Sequence, residues 1–527
     1  MSDKFTRRTV LAGSVGAAGA ALLAACGGET ATVAPTAAAT RAAATTAATA
    51  AATRAATAAS TPAVAASTSG TAAPVATMGG AAAAPATMAG GMASTGTGVL
   101  RPMMGAMAFA GKSMTYFQKA QYYMATQNAI KAVVEDYAKS TGAKAEVSVQ
   151  SADGGPNLTK LQSSVMGGMA FELGDDIGSG PSQYITLNLL EDVTSLVTEL
   201  QAAYGTVMPI IPRGLQRDGK YYAVPFFTSS DAWFLRKDWL SEKGIKPETL
   251  DTYDKMRDAA LEISDPGKRR YGWGHSPYAV GDAPTLIFHL VHSYGGSLQN
   301  KEGNKVVFNS PETLAAITWL SDIYLNPKYK NMLPPGFESW DGAGNNMAWL
   351  NGTIGFTANA FTMYAKSKDD KNPVFDATFV SSRPKGPATM GGALRGGQLG
   401  YMYIGKGAKG ADVARETIKA VMQPENWNKI ATASGGLILP AYESQWKNEY
   451  WKSDPNYGGL EAQVRDPTGY NQLYYPGPSN PGVDSIIAQK VLENMMSTII
   501  QKGTKVTDAV KEADEQMKKI FDQFGIK

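Results

Sequence analysis

The stretch from Asp218 to Leu240 decides how the rest of the chain is organised; it runs Asp-Gly-Lys-Tyr-Tyr-Ala-Val-Pro-Phe-Phe-Thr-Ser-Ser-Asp-Ala-Trp-Phe-Leu-Arg-Lys-Asp-Trp-Leu. Asp218-Gly219 is a tight-turn dipeptide, and Lys220–Val224 has the aromatic and β-branched pattern of a strand. Pro225 cannot donate to a β-ladder, so it ends this pairing or marks an edge. A second buried strand is predicted over Ala232–Leu235. Two strands without a helix between them favour either an antiparallel pair in one sheet or a crossing between two lobes.

Length, charge and cysteine content limit the class of protein. The chain has 527 residues, more than one hydrophobic core usually spans, so two lobes are expected. The formal net charge of +3 is too small to indicate a nucleic-acid partner, and no basic run is interleaved with aromatic residues. Cys26 is the only cysteine, which excludes an intramolecular disulfide and a cysteine-rich metal site. We expect no metal and no cofactor.

The segment 1–25 has the pattern of an export signal rather than of a folded element. Arg7-Arg8 precede a mildly apolar run, as in twin-arginine (Tat) signals. Leu23-Ala-Ala-Cys26 is similar to a bacterial lipobox, and the sole cysteine lies where a lipobox requires it. Lipidation of Cys26 and anchoring to the outer face of the cytoplasmic membrane are therefore expected. The alternative is a plain secretory signal or an uncleaved anchor helix, although the run is short and Gly-rich for a spanning helix.

Residues 26–111 are predicted to be a disordered tether after the lipidated cysteine. The segment is nearly all Ala, Thr, Gly, Ser, Pro and Met, with almost no charge and no hydrophobic period. Such a composition cannot bury enough apolar surface to offset the entropy of ordering. A folded body held on a flexible segment outside the membrane is expected.

The folded body begins with a β-α-β-α pattern, which indicates an α/β fold with a parallel sheet. Strands are predicted at Ser113–Gln118 and Ala145–Gln150, with a helix between them over Thr126–Ser140. Further on, Ser310 is a predicted N-cap with Pro311 at the first helical position. An aromatic-rich loop is predicted from Tyr442 to Tyr475.

At this point the residues resemble the extracellular solute-binding proteins of ABC importers, in the carbohydrate-type family that includes maltose-binding protein. The resemblance covers about 112–527 and depends on the order of several short motifs. These are Asp192-Val-Thr-Ser-Leu-Val197, the block from Asp218 to Pro225, Phe234–Leu240, Asn346–Phe356 and Gly435–Pro440. It implies a two-lobe periplasmic-binding-protein fold of type II, with crossing strands and a ligand cleft between the lobes.

The resemblance also implies boundaries and partners. One lobe would comprise 112–226 plus 375–434, and the other 227–374 plus 435–527. The protein would be an exported monomer that captures a mono- or oligosaccharide by hinge closure and delivers it to ABC permease subunits. The alternatives are another small solute, such as a polyol phosphate or a charged solute, and a surface sensor or adhesin with the same fold.

Sugar recognition needs aromatic plates for the ring faces and polar groups for the hydroxyl rim. Carried over from the family, Tyr278 and Phe361 are the expected stacking aromatics, and Ser229 is the expected polar contact at the hinge. The remaining expected ligand contacts are chosen for loop context and residue type: Asp176, Ser179, Trp340, Asp341, Asn359, Gly397 and Tyr475. Each of these aromatics could instead belong to the core.

Enzyme activity is not expected. Gly274-His-Ser276-Pro-Tyr278 begins like a nucleophile elbow, but Tyr stands where the closing Gly is needed. The chain has three histidines in all, and His289 and His292 share an apolar helix face, so a multi-histidine zinc site is not expected.

Overall fold

The described residues form two large sheets and a separate two-stranded hairpin. A computed structural model of the protein describes residues 100, 104–121, 123–150, 155–177, 181–209, 211–229, 231–278, 282–381, 383–388, 399–465 and 473–526. The strands are β1 (Ser113–Gln118), β2 (Lys144–Val149), β3 (Leu173–Ile177), β4 (Gln216–Arg217), β5 (Lys220–Tyr221), β6 (Val224–Thr228), β7 (Asp231–Arg236), β8 (Tyr271–Trp273), β9 (Ile354–Ala360), β10 (Thr378–Ser381), β11 (Leu399–Tyr403) and β12 (Leu439–Pro440).

The first sheet has six strands in the order β12-β6-β11-β3-β1-β2, and the second has four in the order β10-β7-β9-β8. Strand β1 pairs in parallel with β2 and with β3, and β8 pairs in parallel with β9. The parallel opening expected from the β-α-β-α pattern is therefore confirmed. We call the body around the first sheet the first lobe and the body around the second sheet the second lobe.

Helices cover both sheets. They are α1 (Met124–Ser140), α2 (Gly155–Met166), α3 (Pro181–Thr186), α4 (Thr194–Tyr204), α5 (Pro212–Leu215), α6 (Lys237–Glu242), α7 (Tyr253–Glu262), α8 (Asp282–Ser293), α9 (Pro311–Leu325), α10 (Gly344–Leu350), α11 (Thr362–Asp369), α12 (Ala411–Val421), α13 (Pro424–Ala433), α14 (Pro455–Arg465), α15 (Pro481–Ala488), α16 (Val491–Lys502) and α17 (Val506–Gln523). The described residues also form 3₁₀ segments at Pro247–Thr249, Pro266–Lys268, Pro327–Met332, Phe337–Ser339, Glu443–Lys447 and Glu449–Lys452. Within the ranges described, no helix is both long and apolar enough to cross a bilayer.

The stretch from Asp218 to Leu240 crosses from one sheet to the other. Asp218 and Gly219 have φ angles of 52° and 75° and close the β4–β5 hairpin, because a tight hairpin turn needs the left-handed region at its centre. Strand β6 then runs in the first sheet and β7 in the second, with Ser229 between them. Pro225 lies inside β6 rather than at its end, and it pairs beside a register shift at Gly400/Tyr401. Proline is tolerated there because such irregularities leave one donor unneeded.

Two hydrophobic cores are divided by the second sheet. Trp233 and Leu235 belong to the core of the second lobe, whereas Ala232 and Phe234 belong to the cluster that includes the first sheet. Since side chains alternate across a strand, β7 is covered on both faces. Ser310 caps α9 by accepting from Thr313 N–H at 3.2 Å, as its sequence pattern predicts.

Strand membership differs from the expected lobe ranges at three points. Thr378–Ser381 pairs with β7 in the second sheet, although the first lobe was expected over 375–434. Leu439–Pro440 pairs with β6 in the first sheet, although the second lobe was expected from 435 onward. Thr228 pairs with both Leu399 and Leu439 in the first sheet, although the second lobe was expected from 227. The predicted loop over 442–475 contains two 3₁₀ segments and α14, whose aromatic side chains pack into the first core and so order the backbone.

Candidate ligand-binding site

The carboxyl ends of the parallel strands are the natural position for a ligand, because open α/β sheets bind there. In the first lobe, Lys119 follows β1 and Asp176 lies near the end of β3. In the second lobe, His275 follows β8 and Asn359 lies near the end of β9. The chain passes from one lobe to the other through Ser229, which is 2% exposed.

The first-lobe part of the site is a buried ion pair. Lys119 Nζ lies 3.1 Å from Asp176 Oδ1, and both residues are buried. The hydroxyl of Tyr184, on α3, donates to Asp176 Oδ2 at 3.3 Å. The backbone N–H of Ile177 also donates to Asp176 Oδ1, at 2.8 Å. A carboxylate with three donors on it keeps its orientation and can still accept from a ligand hydroxyl.

The neighbouring residue Asp175 fixes the backbone position of Lys119. Its Oδ1 accepts from Tyr116 OH at 2.9 Å and from the backbone N–H of Lys119 at 2.8 Å. Burial raises the pKa of Asp175 to about 7, even though both of these hydrogen bonds oppose the shift. The contact to the N–H of Lys119 fixes the backbone from which the Lys119 side chain projects.

Tyr401 lies on β11 directly opposite Asp176. Its side chain is fully buried, and its hydroxyl has no hydrogen-bond partner among the described residues. Burial raises the pKa of Tyr401 well above its usual value, so the hydroxyl is a neutral donor. A buried hydroxyl without a partner costs free energy, which makes this atom a place where a ligand or a water would be held.

The second-lobe part combines an amide with carboxylates. Asn359 Nδ2 donates to Asp282 Oδ2 at 3.5 Å and also to Asn346 Oδ1. Burial, and then the charge of Asp231, raise the pKa of Asp282 to about 7. The Asp282 carboxyl can therefore donate or accept a hydrogen bond near neutral pH.

Asp231 is the first residue of β7 and lies opposite Arg383, with Oδ2 3.5 Å from Arg383 Nη2. Burial raises the pKa of Asp231, and Arg383 opposes that shift. A cavity of about 90 Å³ is lined by Asp231, His275, Asp282 and Asn359, among other residues. His275 Nε2 accepts from Ala358 N–H at 2.8 Å, and burial lowers its pKa to about 3, so the ring is neutral.

The chain matches a known protein family. A family model described as bacterial extracellular solute-binding protein matches residues 132–459, more than half of the chain. The chain belongs to that family.

Two curated relatives match parts of this solute-binding protein. The mannitol-binding protein of Pseudomonas aeruginosa is 24% identical over 187 residues, which are 35% of this chain and 41% of the relative. A probable ABC transporter-binding protein of Deinococcus radiodurans is 23% identical over 259 residues, 48% of this chain and 59% of the relative. The chain thus spans about two fifths to three fifths of the length of these relatives.

Solved structures match a larger part of the solute-binding protein. One from Thermotoga lettingae, an ABC transporter solute-binding protein bound with α-D-tagatose, has a TM-score of 0.66 at 17% identity and covers 78% of this chain and 100% of its own. One from Agrobacterium radiobacter, in complex with ribitol, has a TM-score of 0.66 at 19% identity, with 78% and 99% covered. At these identities the likeness establishes the fold, which is the two-lobe fold expected from the sequence.

Three of the expected ligand contacts lie around the strand ends just described. Asp176 and Asn359 take part in the two polar groups, and Ser229 lies between them on the crossing. The ring of Tyr475 lies 4.8 Å from that of His292, and the pKa of His292 is lowered to about 3 by burial and then by Arg383. The place of Tyr475 in the ligand site therefore stays a prediction.

Of the other expected contacts, Phe361, Trp340 and Asp341 lie elsewhere in the solute-binding protein, and Ser179 and Gly397 lie outside the described residues. Tyr278, three residues after His275, stays a predicted contact. Phe361 is 1% exposed and packs in a core against Phe234 and Tyr457, at 5.5 and 5.7 Å between ring centroids. Tyr278 stacks on Phe337 at 6.5 Å. Trp340 lines an open groove at the amino ends of β8 and β9, and the exposed Asp341 follows it in the chain. Ser179, Gly397 and the predicted lipidation residue Cys26 lie outside the described residues.

Several polar residues of the candidate site were not among the ligand contacts expected from the sequence. Asp231 lies two residues after Ser229, so its place beside the crossing was a usable signal. Tyr401 lies in the run Leu-Gly-Tyr-Met-Tyr, where a polar-tipped side chain recurs on one face of a buried strand. Arg383 and Asp282 had no local signal, because their partners lie far away in the chain.

Proposed function

We propose that this protein is a membrane-anchored solute-binding lipoprotein that captures a carbohydrate between its two lobes and delivers it to an ABC importer. The observation that carries the proposal is the pair of buried polar groups at the carboxyl ends of both sheets. Asp176 with Lys119 lies on one side and Asp282 with Asn359 on the other, and Ser229 is on the strand crossing that joins the lobes.

The chemistry of these groups suits a solute rich in hydroxyls. Each sugar hydroxyl donates one hydrogen bond and accepts others, so it needs carboxylates and amides around it. The Asp282 carboxyl and the Asn359 amide supply both functions, and the hydroxyl of Tyr401 supplies an unpartnered donor among the described residues. Tyr475, whose ring lies against that of His292, would add an aromatic surface for the apolar face of a sugar ring.

The small cavity is lined by residues of the second lobe. Its volume of about 90 Å³ is below the roughly 300–1,000 Å³ typical of ligand pockets. A sugar bound there would therefore need contacts from the first lobe as well, which closure of the lobes would supply. Few chain segments join the two sheets, and hinge motion of two lobes about such segments is a common way to close around a ligand.

Relatives and structural neighbours support the solute class. Their names include mannitol, ribitol and α-D-tagatose, all polyhydroxylated and uncharged. The alternatives are a polyol phosphate or another charged solute, with Lys119 as a counter-ion, or a sensor or adhesin built on the same fold. Adjacent permease and ATPase genes would favour import over sensing.

The export and anchoring steps belong to the same proposal. Segment 1–25 would act as a Tat-type lipoprotein signal, Cys26 would carry the lipid, and 26–111 would act as the tether. The mature protein would work as a monomer on the outer face of the cytoplasmic membrane and would meet ABC permease subunits there. No catalytic step is proposed.

A solute panel tests the proposal. Intrinsic tryptophan fluorescence and thermal shift of the protein would be followed with tagatose, mannitol, ribitol, maltose, glucose, a polyol phosphate and amino acids. A saturable response to one or more uncharged sugars or polyols is expected. A response to a charged solute alone would replace the carbohydrate assignment with the second solute class.

A further inference from the structure

Helix α15 (Pro481–Ala488) touches both lobes. Its residues Val483 and Ile486 are buried in the second core, where α15 packs against α17. The same helix also packs against α3 (Pro181–Thr186), whose Tyr184 and Ile185 are buried in the first core. The start of α15 is fixed by Asn480, which accepts from Val483 N–H at 3.0 Å.

Asp484 lies at this contact and is bonded to both lobes at once. Its side chain is buried, with 2% of the residue exposed. Oδ2 accepts from the backbone N–H of Gln183, on α3, at 3.0 Å. Oδ1 accepts from the hydroxyl of Tyr474, which is buried in the second core. We call Gln183, Asp484 and Tyr474 the interlobe bridge.

The interlobe bridge adjoins the first-lobe part of the site. Gln183 is followed on α3 by Tyr184, whose hydroxyl donates to Asp176. Burial, and to a smaller extent the charge of Asp484, raise the pKa of both Tyr184 and Tyr401. The interlobe bridge and the Asp176 carboxylate are therefore linked through two consecutive residues of α3.

The hydrogen bond to Gln183 can exist only while α3 and α15 are in contact. A charge-assisted hydrogen bond is stronger than a neutral one and strengthens further away from water. When the lobes separate, the N–H of Gln183 and one oxygen of Asp484 would both be hydrated, whereas the bond to Tyr474 would stay within the second lobe. The bond between the lobes therefore favours the arrangement in which α3 and α15 are in contact.

From this geometry we infer that Asp484 is a positioning residue for solute capture: it holds α3, and with it Tyr184 and Asp176, against the second lobe. The inference rests on the proposed function as a solute-binding protein. Asp484 would not need to touch the solute, because its effect passes through α3. Loss of its charge should therefore speed the release of solute more than it slows the binding.

The chain offers a matched control for this test. Asp514 is also a buried carboxylate, 3% exposed, on α17. It accepts from Asn309 N–H at 3.1 Å and pairs with Lys518 at 2.6 Å, both within the second lobe. Asp514→Asn removes a comparable buried charge without a partner in the first lobe.

The binding experiment measures D-mannitol association and dissociation by stopped-flow tryptophan fluorescence. Asp484→Asn should raise the dissociation rate constant about tenfold, with the association rate constant changed far less, since loss of a buried charged hydrogen bond acts mainly on release. Tyr474→Phe removes the hydroxyl that donates to Asp484 Oδ1, and it should also raise the dissociation rate constant. Asp514→Asn should match the wild type in both rate constants. Equal dissociation rate constants for Asp484→Asn and the wild type would refute the bridge.

Small-angle X-ray scattering of the protein without added solute separates this inference from the proposed function. Asp484→Asn should have a larger radius of gyration than the wild type, and Asp514→Asn should not. If D-mannitol fails to bind but the radius increases, the bridge stands and the choice of solute is wrong. An unchanged radius in a folded Asp484→Asn variant rejects the bridge, whatever the solute.

Discussion

The ammonium group of Lys119 lies 3.1 Å from Asp176 Oδ1, with 11% and 5% of the two side chains exposed. The pair joins the residue after β1 to the end of β3, and Tyr184 supplies a second donor to the same carboxylate. Because water is nearly excluded, neither charge can be hydrated if the other is removed. The two side chains therefore depend on each other for stability as well as for their place in the site.

Lys119→Met should lower the free energy of unfolding by about 3–5 kcal/mol, because it leaves the Asp176 carboxylate buried without its counter-ion. Urea denaturation measures the change. Lys144→Met is the control, since its pair with Glu146 is exposed to solvent and should contribute little to the free energy of unfolding. Equal effects of the two substitutions would show that the Lys119–Asp176 pair is hydrated in solution.

Tyr401→Phe should separate ligand binding from stability. The hydroxyl is buried without a partner among the described residues, so its removal should leave the free energy of unfolding unchanged or raise it by about 1 kcal/mol. If the solute accepts a hydrogen bond from that hydroxyl, the dissociation constant of the solute should rise about fivefold in Tyr401→Phe. This is the equivalent of one net hydrogen bond.

Tyr204→Phe is the control for this substitution. Its hydroxyl is likewise buried without a partner in the described part of the chain, but it lies in the core at the end of α4. It should change stability in the same way and leave the dissociation constant unaltered. Calorimetric titration and urea denaturation give both quantities, and an unchanged affinity of Tyr401→Phe would place this hydroxyl outside the site.

Asp282 should make stability depend on pH below neutrality. Its pKa is raised to about 7 by burial and then by Asp231, whereas it is near 3.9 in an unfolded chain. Between these values the folded state keeps a proton that the unfolded state has released, so this residue lowers the free energy of unfolding as pH rises from about 4 to 7.

Asp282→Asn should remove that contribution. The slope of unfolding free energy against pH in this window should become more positive than in the wild type by up to about 1.4 kcal/mol per pH unit. Comparison with the wild type cancels the contributions of the other buried acids and histidines. The exposed Asp508→Asn serves as a control that should leave the slope as it is. Parallel slopes for Asp282→Asn and the wild type would mean that Asp282 is ionised in the folded protein.

Phe361→Ala should act on stability rather than on affinity. The ring is 1% exposed among Phe234, Tyr364 and Tyr457, and such truncations cost about 3–5 kcal/mol. Met347→Ala, 54% exposed, should cost less than about 0.5 kcal/mol. A large loss of solute affinity in a folded Phe361→Ala variant, with stability unchanged, would restore Phe361 as a stacking residue.

Cys26→Ser should release the protein from the membrane fraction, because the only thiol available for a lipid is removed. Cell fractionation with immunoblotting measures the distribution, and metabolic labelling with a fatty acid reports the lipid directly. Ser14→Ala, within the expected signal, serves as a control that should leave the anchoring intact. Continued membrane association of unlabelled Cys26→Ser would indicate an uncleaved anchor helix.

Local patterns in the sequence predicted the fold to the extent that local forces determine it. The Asp218-Gly219 turn, the cap at Ser310 and strand β1 follow from backbone preferences and from hydrophobic period, which act over a few residues. The order of these elements was enough to indicate two lobes and a strand crossing near Ser229. Strand β10 was misplaced because a four-residue strand has no local signal of which sheet it joins.

The site was predicted only in part because its members are distant in the chain. Asp231 and Arg383 are 152 positions apart, and Gln183 and Asp484 are 301 positions apart. No periodicity reports such pairs, and an aromatic residue such as Phe361 has the same local pattern in a core as in a cleft.

The sequence by itself determined the α/β class of fold, because hydrophobic spacing and turn chemistry are local properties. The order of its motifs indicated two lobes and a crossing within Val224–Ser230. Only the tertiary structure decided which polar side chains are buried together at the strand ends and which helix joins the lobes. The physical reason is that a buried charge such as Asp484 is stable only beside donors that the fold, and not the neighbouring sequence, brings to it.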